Sequence, residues 1–200
     1  MSRESWPGSI FARLYEDHPD PWGFETREYE RRKYARTLAA LGGRHFDFAL
    51  ELGCSIGVMT AELASCCDRI LAVDVAEAAL RRARTRCRDW PAVSFHQGQL
   101  PDAFPALASG SCDLILVSEL LYFLSPEDIG LLADRVLAVR RPDASILLVN
   151  WTGETNTPCT GDEAADLFIR HCRIAAMEKD FSERHDSYRI DRLANGIKGA

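Results

Sequence analysis

The feature that most limits this chain is an alternation that begins at Phe48. Short apolar runs rich in β-formers, at residues 48–52, 70–73, 93–95, 114–117 and 146–149, are separated by stretches with apolar residues at helical spacing. Ala76, Ala79, Leu80, Ala83 and Cys87 mark one such face, and Ile129, Leu132, Ala133, Val136 and Leu137 mark another. The second face follows a strong start signal: Ser125 as cap, Pro126 in the first turn, then Glu127 and Asp128 where the helix dipole favours acids. Strands alternating with helices predict parallel βαβ units with right-handed crossovers, hence a doubly wound α/β domain.

The two ends break this rhythm. Thr160 and Glu163 have capping-box spacing and open a helix expected to run to about Phe168. Two strand-like runs, 173–181 and 186–193, follow with a short charged connection, which predicts a hairpin and an antiparallel edge on a mostly parallel sheet. At the other end, residues 1–45 are rich in aromatics (Trp6, Tyr15, Trp22, Tyr29, Tyr34) and carry a turn at Pro19–Pro21. A helix is expected from Glu28 to Leu41, with Tyr34, Leu38 and Leu41 on one face and Gly42-Gly43 as its stop. We read 1–45 as a helical lid on a single domain, 46–200, rather than as a domain of its own.

Composition narrows the function. A chain of 200 residues fits one domain, and its net charge of −6, with no basic run or arginine-rich helix expected along it, argues against a nucleic-acid partner, since phosphate binding normally leaves a basic footprint. No run approaches the ~20 apolar residues that span a bilayer, and the first ten residues lack the apolar core of a signal peptide. The seven cysteines include no CxxC pair; Cys66 and Cys67 are adjacent, and Cys54, Cys87, Cys112 and Cys172 fall where small apolar residues would serve, so reduced thiols in a cytoplasmic protein are expected, with no metal site.

The strongest local signal is Glu51-Leu52-Gly53-Cys54-Ser55-Ile56-Gly57, directly after the first strand and opening a helix. Ligands of open parallel sheets bind at the carboxyl ends of strands, where glycines let the backbone approach them closely. The dinucleotide pattern G-x-G-x-x-G is absent: Ser55 and Val58 occupy its second and third glycine positions. Glu51 would repel a pyrophosphate but suits a cation. S-adenosylmethionine carries an ammonium and a sulfonium, so Glu51 can organise its methionine end; the competing reading is a tight strand-to-helix turn with an exposed acid.

Four further strand ends carry polar chemistry. Asp74, followed by Val75, stands where a carboxylate accepts ribose hydroxyls, or where it caps the next helix. Gly98-Gln99-Leu100 follows the third strand, placed to border an adenine, or is an ordinary polar loop. Ser118-Glu119-Leu120-Leu121-Tyr122 leaves the fourth strand beside the expected position of the transferred methyl. There Glu119 is the candidate to hold or deprotonate an amine and Tyr122 to wall the acceptor pocket; the alternative is local pairing and packing. Asn150-Trp151-Thr152-Gly153-Glu154 ends the fifth strand, and Trp151 and Glu154 are candidate acceptor contacts, with core plug and solvated loop acid as the plainer readings.

Taken in order, these motifs resemble the class I S-adenosylmethionine-dependent methyltransferases and, more narrowly, the nodulation protein S family. The pieces that carry the resemblance are Asp20-Pro21-Trp22, Tyr29-Glu30-Arg31-Arg32-Lys33-Tyr34, the 50–57 loop, Ala72-Val73-Asp74-Val75 and 118–122, spread over roughly residues 11–195. The resemblance implies a seven-stranded Rossmann-like sheet with its last strand antiparallel. It implies N-methylation of a glucosamine amine on a deacetylated chitooligosaccharide, with S-adenosylhomocysteine as product and a functional link to a sugar deacetylase. It also implies that Glu51, Gly53, Cys54, Ser55 and Gly57 contact the methionine portion and Asp74 and Val75 the ribose. Gly98, Gln99 and Leu100 would border the adenine, Ser118 would lie along the cofactor, and Trp22 and Tyr29 would close over it from the lid.

Two departures stand out. Ser55 replaces a glycine of the common loop, and Arg141-Pro142-Asp143-Ala144 replaces a Pro-Gly-Gly turn, which predicts a strained left-handed turn at Asp143. Other acceptors, another small metabolite methylated on N or O, stay open, as does a non-catalytic S-adenosylmethionine-binding regulator.

Overall fold

The computed structural model describes residues 3–196. Seven strands form one sheet, lying side by side in the order 93–97, 70–74, 49–52, 112–118, 140–151, 188–195, 177–184. The chain divides into two compact units, residues 7–105 and residues 106–196 with 3–6. The N-terminal segment is therefore shared: 3–6 go with the C-terminal unit and 7–45 with the other.

The first unit holds α1 (Gly8–Asp17), α2 (Glu28–Ala39), β1 (Ala49–Leu52), α3 (Val58–Leu63), β2 (Ile70–Asp74), α4 (Glu77–Arg86) and β3 (Val93–Gln97). Its three strands pair in parallel, with Leu50 opposite Leu71 and Ala72 opposite Phe95. β1 is buried along its whole length, as a central parallel strand covered on both faces must be. That leaves Glu51 as a carboxylate inside the core.

The second unit holds β4 (Cys112–Ser118), a single 3-10 turn at Leu121–Phe123, α5 (Pro126–Val139), β5 (Arg140–Trp151), α6 (Gly161–Arg173), β6 (Met177–Arg184) and β7 (Tyr188–Asn195). β4 and β5 are parallel; β7 runs antiparallel to both β5 and β6, giving the expected hairpin. α5 starts as its sequence dictates, with Ser125 Oγ accepting from the Asp128 N–H at 3.1 Å. α6 is capped by Thr160, whose Oγ1 accepts from the Glu163 N–H at 3.2 Å, and it continues to Arg173, past the expected end at Phe168. Only half of the capping box forms, because the Glu163 carboxylate turns instead to the Arg3 guanidinium in a two-pronged pair at 2.8 Å.

The left-handed turn expected at Asp143 is not there. Among the described residues the non-glycine positions with positive φ are Ser55, Glu119 and Ala176. β5 instead continues in extended form through Pro142 and Asp143, and the register against β4 jumps from Cys112–Arg140 to Leu114–Ser145. Placing the surplus residues in a bulge on the strand removes the need for a left-handed turn.

Candidate functional site

In the 7–105 unit, the chain leaves β1 through a loop that is left-handed at three of five residues: Gly53 (φ 87°), Ser55 (φ 52°) and Gly57 (φ 76°). Gly57 has a second reason to be glycine, since a Cβ there would lie 2.9 Å from the Ala83 backbone on α4. Ser55 lacks glycine's freedom, and its conformation is held from two sides. Its N–H donates to Asp74 Oδ2 at 2.9 Å, and its hydroxyl forms a very short hydrogen bond with the Tyr15 hydroxyl of α1.

Asp74 accepts twice, from Ser55 and, through Oδ1, from the Ala76 N–H at 2.9 Å. Its carboxylate thus ties the 53–57 loop to the residue before α4, whose N-cap position is Ala76 rather than Asp74 itself. Burial raises its pKa, opposed by these backbone N–H groups. Glu51 accepts from Thr60 Oγ1 at 2.6 Å. Burial pushes its pKa up to about 7, against the Thr60 hydrogen bond and with help from the nearby Asp74 charge. Neither acid has an ion-pair partner among the described residues. Cys54 is buried beside them, its thiol pushed well up by burial and by both carboxylates.

α1 packs on this loop. Tyr15, Ile56, Ala76 and Ala79 form a buried cluster against which Phe11, Trp22 and Phe24 lie. Trp22 meets Tyr15 edge-on with ring centroids 5.4 Å apart. Tyr29 is half-buried under the Lys33 ammonium, 5.3 Å from its ring centroid. The start of α1 presses on Val75 and Gln99: the Gly8 N–H donates to Gln99 Oε1 at 2.8 Å, and a Cβ on Gly8 would collide with Val75. Gln99 is thus exposed but engaged, while Leu100 is buried and Gly98 is packed against Ala103.

In the other unit, Ser118 ends β4 half-buried, and Glu119 follows in a left-handed conformation (φ 53°). An acid forced into that region marks a backbone over-determined by its surroundings. Here the Glu119 N–H donates to Val149 O at 2.8 Å, while Glu119 Oε2 accepts from the Tyr122 hydroxyl at 2.7 Å and the Trp151 N–H at 3.0 Å. Glu119, Tyr122 and Trp151 are brought together as one group. Glu154 is not: it lies exposed on the following loop with no hydrogen bond or ion pair among the described residues. The Trp151 ring packs against Gly153, where a Cβ would come within 2.5 Å of it, and a Cβ on Gly161 would stand 1.6 Å from the Trp151 carbonyl oxygen.

Two residues of this geometry escaped the sequence reading. Tyr15 was visible only as an aromatic of the N-terminal segment, and Thr60 carried no signal until Glu51 proved to be buried against it.

The chain matches the nodulation protein S (NodS) family over residues 12–149. It is 36% identical to the nodulation protein S of Bradyrhizobium diazoefficiens over 80% of its own length and 82% of that protein's. The chain belongs to the NodS family. It is an S-adenosylmethionine-dependent methyltransferase. A second relative, the nodulation protein S of Sinorhizobium fredii, is 31% identical over 56% of this chain, which spans about half of that protein (50%). The crystal structure of the N-methyltransferase NodS of Bradyrhizobium japonicum with S-adenosyl-L-homocysteine superposes with a TM-score of 0.79. It covers 94% of this chain and 98% of its own at 20% identity, which establishes the shared fold. Among the described residues no helix is long and apolar enough to cross a membrane.

Proposed function

We propose that this methyltransferase N-methylates the free amine of an amino sugar, as on a deacetylated chitooligosaccharide, and that it works in the cytoplasm in functional sequence with a sugar deacetylase. The observation that carries the cofactor side of this reading is a pair of acids, the buried Glu51 and the half-buried Asp74, without a cation against them among the described residues. A buried carboxylate lacking a counter-charge is costly. A ligand bearing an ammonium and a sulfonium at one end and ribose hydroxyls at the other answers both acids at once. The left-handed Gly53–Gly57 loop supplies close backbone approach, and Trp22 and Tyr29 supply cover. S-adenosylmethionine, when bound, contributes an electrophilic methyl on sulfonium.

The protein's own task is then to align a neutral nucleophile. An amine is protonated near neutral pH and must shed a proton before it attacks. Glu119 is suited to this: its carboxylate is fixed by Tyr122 and the Trp151 N–H, and a carboxylate has about four lone-pair sites, enough to receive an ammonium as well. Ser118 and Trp151 stand at the same end of neighbouring parallel strands, and an indole is the kind of flat ring on which a sugar packs. Glu154, exposed beyond them, is placed to meet the outer part of an oligosaccharide rather than its reacting amine.

The test is methyl transfer from S-adenosylmethionine to chitosan oligomers, to their fully N-acetylated counterparts and to hydroxyl-bearing small metabolites, read by mass spectrometry. Methylation confined to the oligomers with free amines supports the proposal. Turnover on the acetylated oligomers, or only on unrelated metabolites, refutes the amino-sugar acceptor.

A further inference from the structure

No arginine-rich helix is expected from the sequence, and α4 corrects this: the arginines are hidden inside a net charge of −6. Arg81, Arg82, Arg84, Arg86 and Arg88 fall within eight residues on and just after α4. Helical spacing sorts them. Arg84 turns away to Glu77 at 2.8 Å, while Ala78, Arg81, Arg82, Thr85 and Arg86 line one face, as positions three and four apart do. That face, with Arg88 beyond it, forms a wall of an open cavity of about 830 Å³; Tyr15 and Glu16 of α1 and Glu25 of the following loop form another. The volume lies within the range of about 300–1,000 Å³ usual for small-ligand sites.

Most charges here already have work. The Arg86 guanidinium is bound by Glu25 and donates to the Ile56 carbonyl of the cofactor loop at 3.0 Å. Arg88 lies 3.8 Å from Asp89. Arg81 and Arg82 have no side-chain partner among the described residues, and the one uncommitted acid on the cavity wall is Glu16. Arg82 also has Arg86 four residues on, a like-charge spacing that disfavours the helix. Arg81 and Arg82 line the cavity without a side-chain partner, and a guanidinium is the side-chain group best suited to pair with phosphate oxygens in a two-pronged way.

We infer that this cavity is a second ligand site, distinct from the cofactor loop, for a small phosphate-bearing molecule held by Arg81 and Arg82. The occupant is anionic and compact; the polar wall offers little to an apolar ligand.

Inorganic pyrophosphate is the probe, titrated calorimetrically into the full chain saturated with S-adenosylhomocysteine and, separately, into the chain alone. Saturable binding in both is expected, weakened at least tenfold in the R81Q/R82Q double variant with unchanged S-adenosylhomocysteine affinity. Parallel titrations with a nucleoside diphosphate and a hexose phosphate then distinguish the two sources of the phosphate. Absence of binding at millimolar pyrophosphate overturns the inference, as does equal binding by the double variant. Displacement of pyrophosphate by S-adenosylhomocysteine overturns it too, by making the cavity part of the cofactor's own site. If circular dichroism shows the double variant unfolded, R81Q and R82Q singly carry the same comparison. The S-adenosylhomocysteine titration itself reads the cofactor assignment separately.

Discussion

Glu51→Gln should uncouple cofactor affinity from pH. In the ligand-free protein Glu51 is buried, and its pKa rises from 4.5 to about 7. The ammonium that S-adenosylhomocysteine shares with S-adenosylmethionine needs the ionised form, so affinity is full above about pH 8 and falls as the acid takes up its proton. Between about pH 8 and about pH 6 the ionised fraction drops from roughly nine-tenths to roughly one-tenth, an affinity loss near tenfold, or about 1.4 kcal/mol. Asp74, also raised, and the neighbouring thiols of Cys54, pushed well up, and Cys87, at about 11, complete the titratable surroundings. The thiols stay protonated across this range. Stability of the ligand-free chain moves the opposite way. A carboxylate whose folded pKa is raised costs stability above about pH 7, and that cost, about 3 kcal/mol, is relieved as pH falls towards 4.5. Calorimetry with S-adenosylhomocysteine at a series of pH values measures the first effect, and thermal melts of both proteins measure the second. In Glu51→Gln, affinity should be lower and flat across this range. A wild-type affinity that does not change from pH 8 to pH 6, or a variant that keeps the slope, would refute the reasoning.

Three other outcomes follow from the geometry. Glu119→Gln should lower turnover by about 10²-fold or more while leaving S-adenosylhomocysteine affinity in place; near-normal turnover would remove Glu119 from proton transfer. Gly161→Ala should lower stability by about 3 kcal/mol or more, since its Cβ would stand 1.6 Å from the Trp151 carbonyl oxygen, and a wild-type melting curve would contradict that packing. Ala176→Gly should raise the melting temperature, because Ala176 holds φ 57°, where a Cβ costs about 1 kcal/mol; a lower melting temperature would contradict the strain.

What the sequence showed depended on whether the cause was local. The 51–57 loop and Asp74 were legible because strand period, glycine placement and strand-end acids are read within a few residues. α5 and α6 announced themselves through Ser125 and Thr160. α1 did not: its N-cap is Pro7, with no side-chain cap, and its first free N–H is satisfied by Gln99, which is 91 residues away. Glu163 has the spacing of a capping box, yet its carboxylate is claimed by Arg3 from 160 residues away. Pro142 and Asp143 read as a turn because nothing local reports a register shift against β4. The expectation of no arginine-rich helix fails at α4, because reading charge as an acidic total erases where the charges sit.

The most direct test of the central claim is calorimetric titration of the purified chain with S-adenosylhomocysteine, with NAD as control. The account predicts micromolar binding of S-adenosylhomocysteine, lost in Asp74→Ala, and no binding of NAD. Binding of NAD instead, or of neither ligand, would contradict the assignment of Glu51, Asp74 and the loop between them to an adenosylmethionine site.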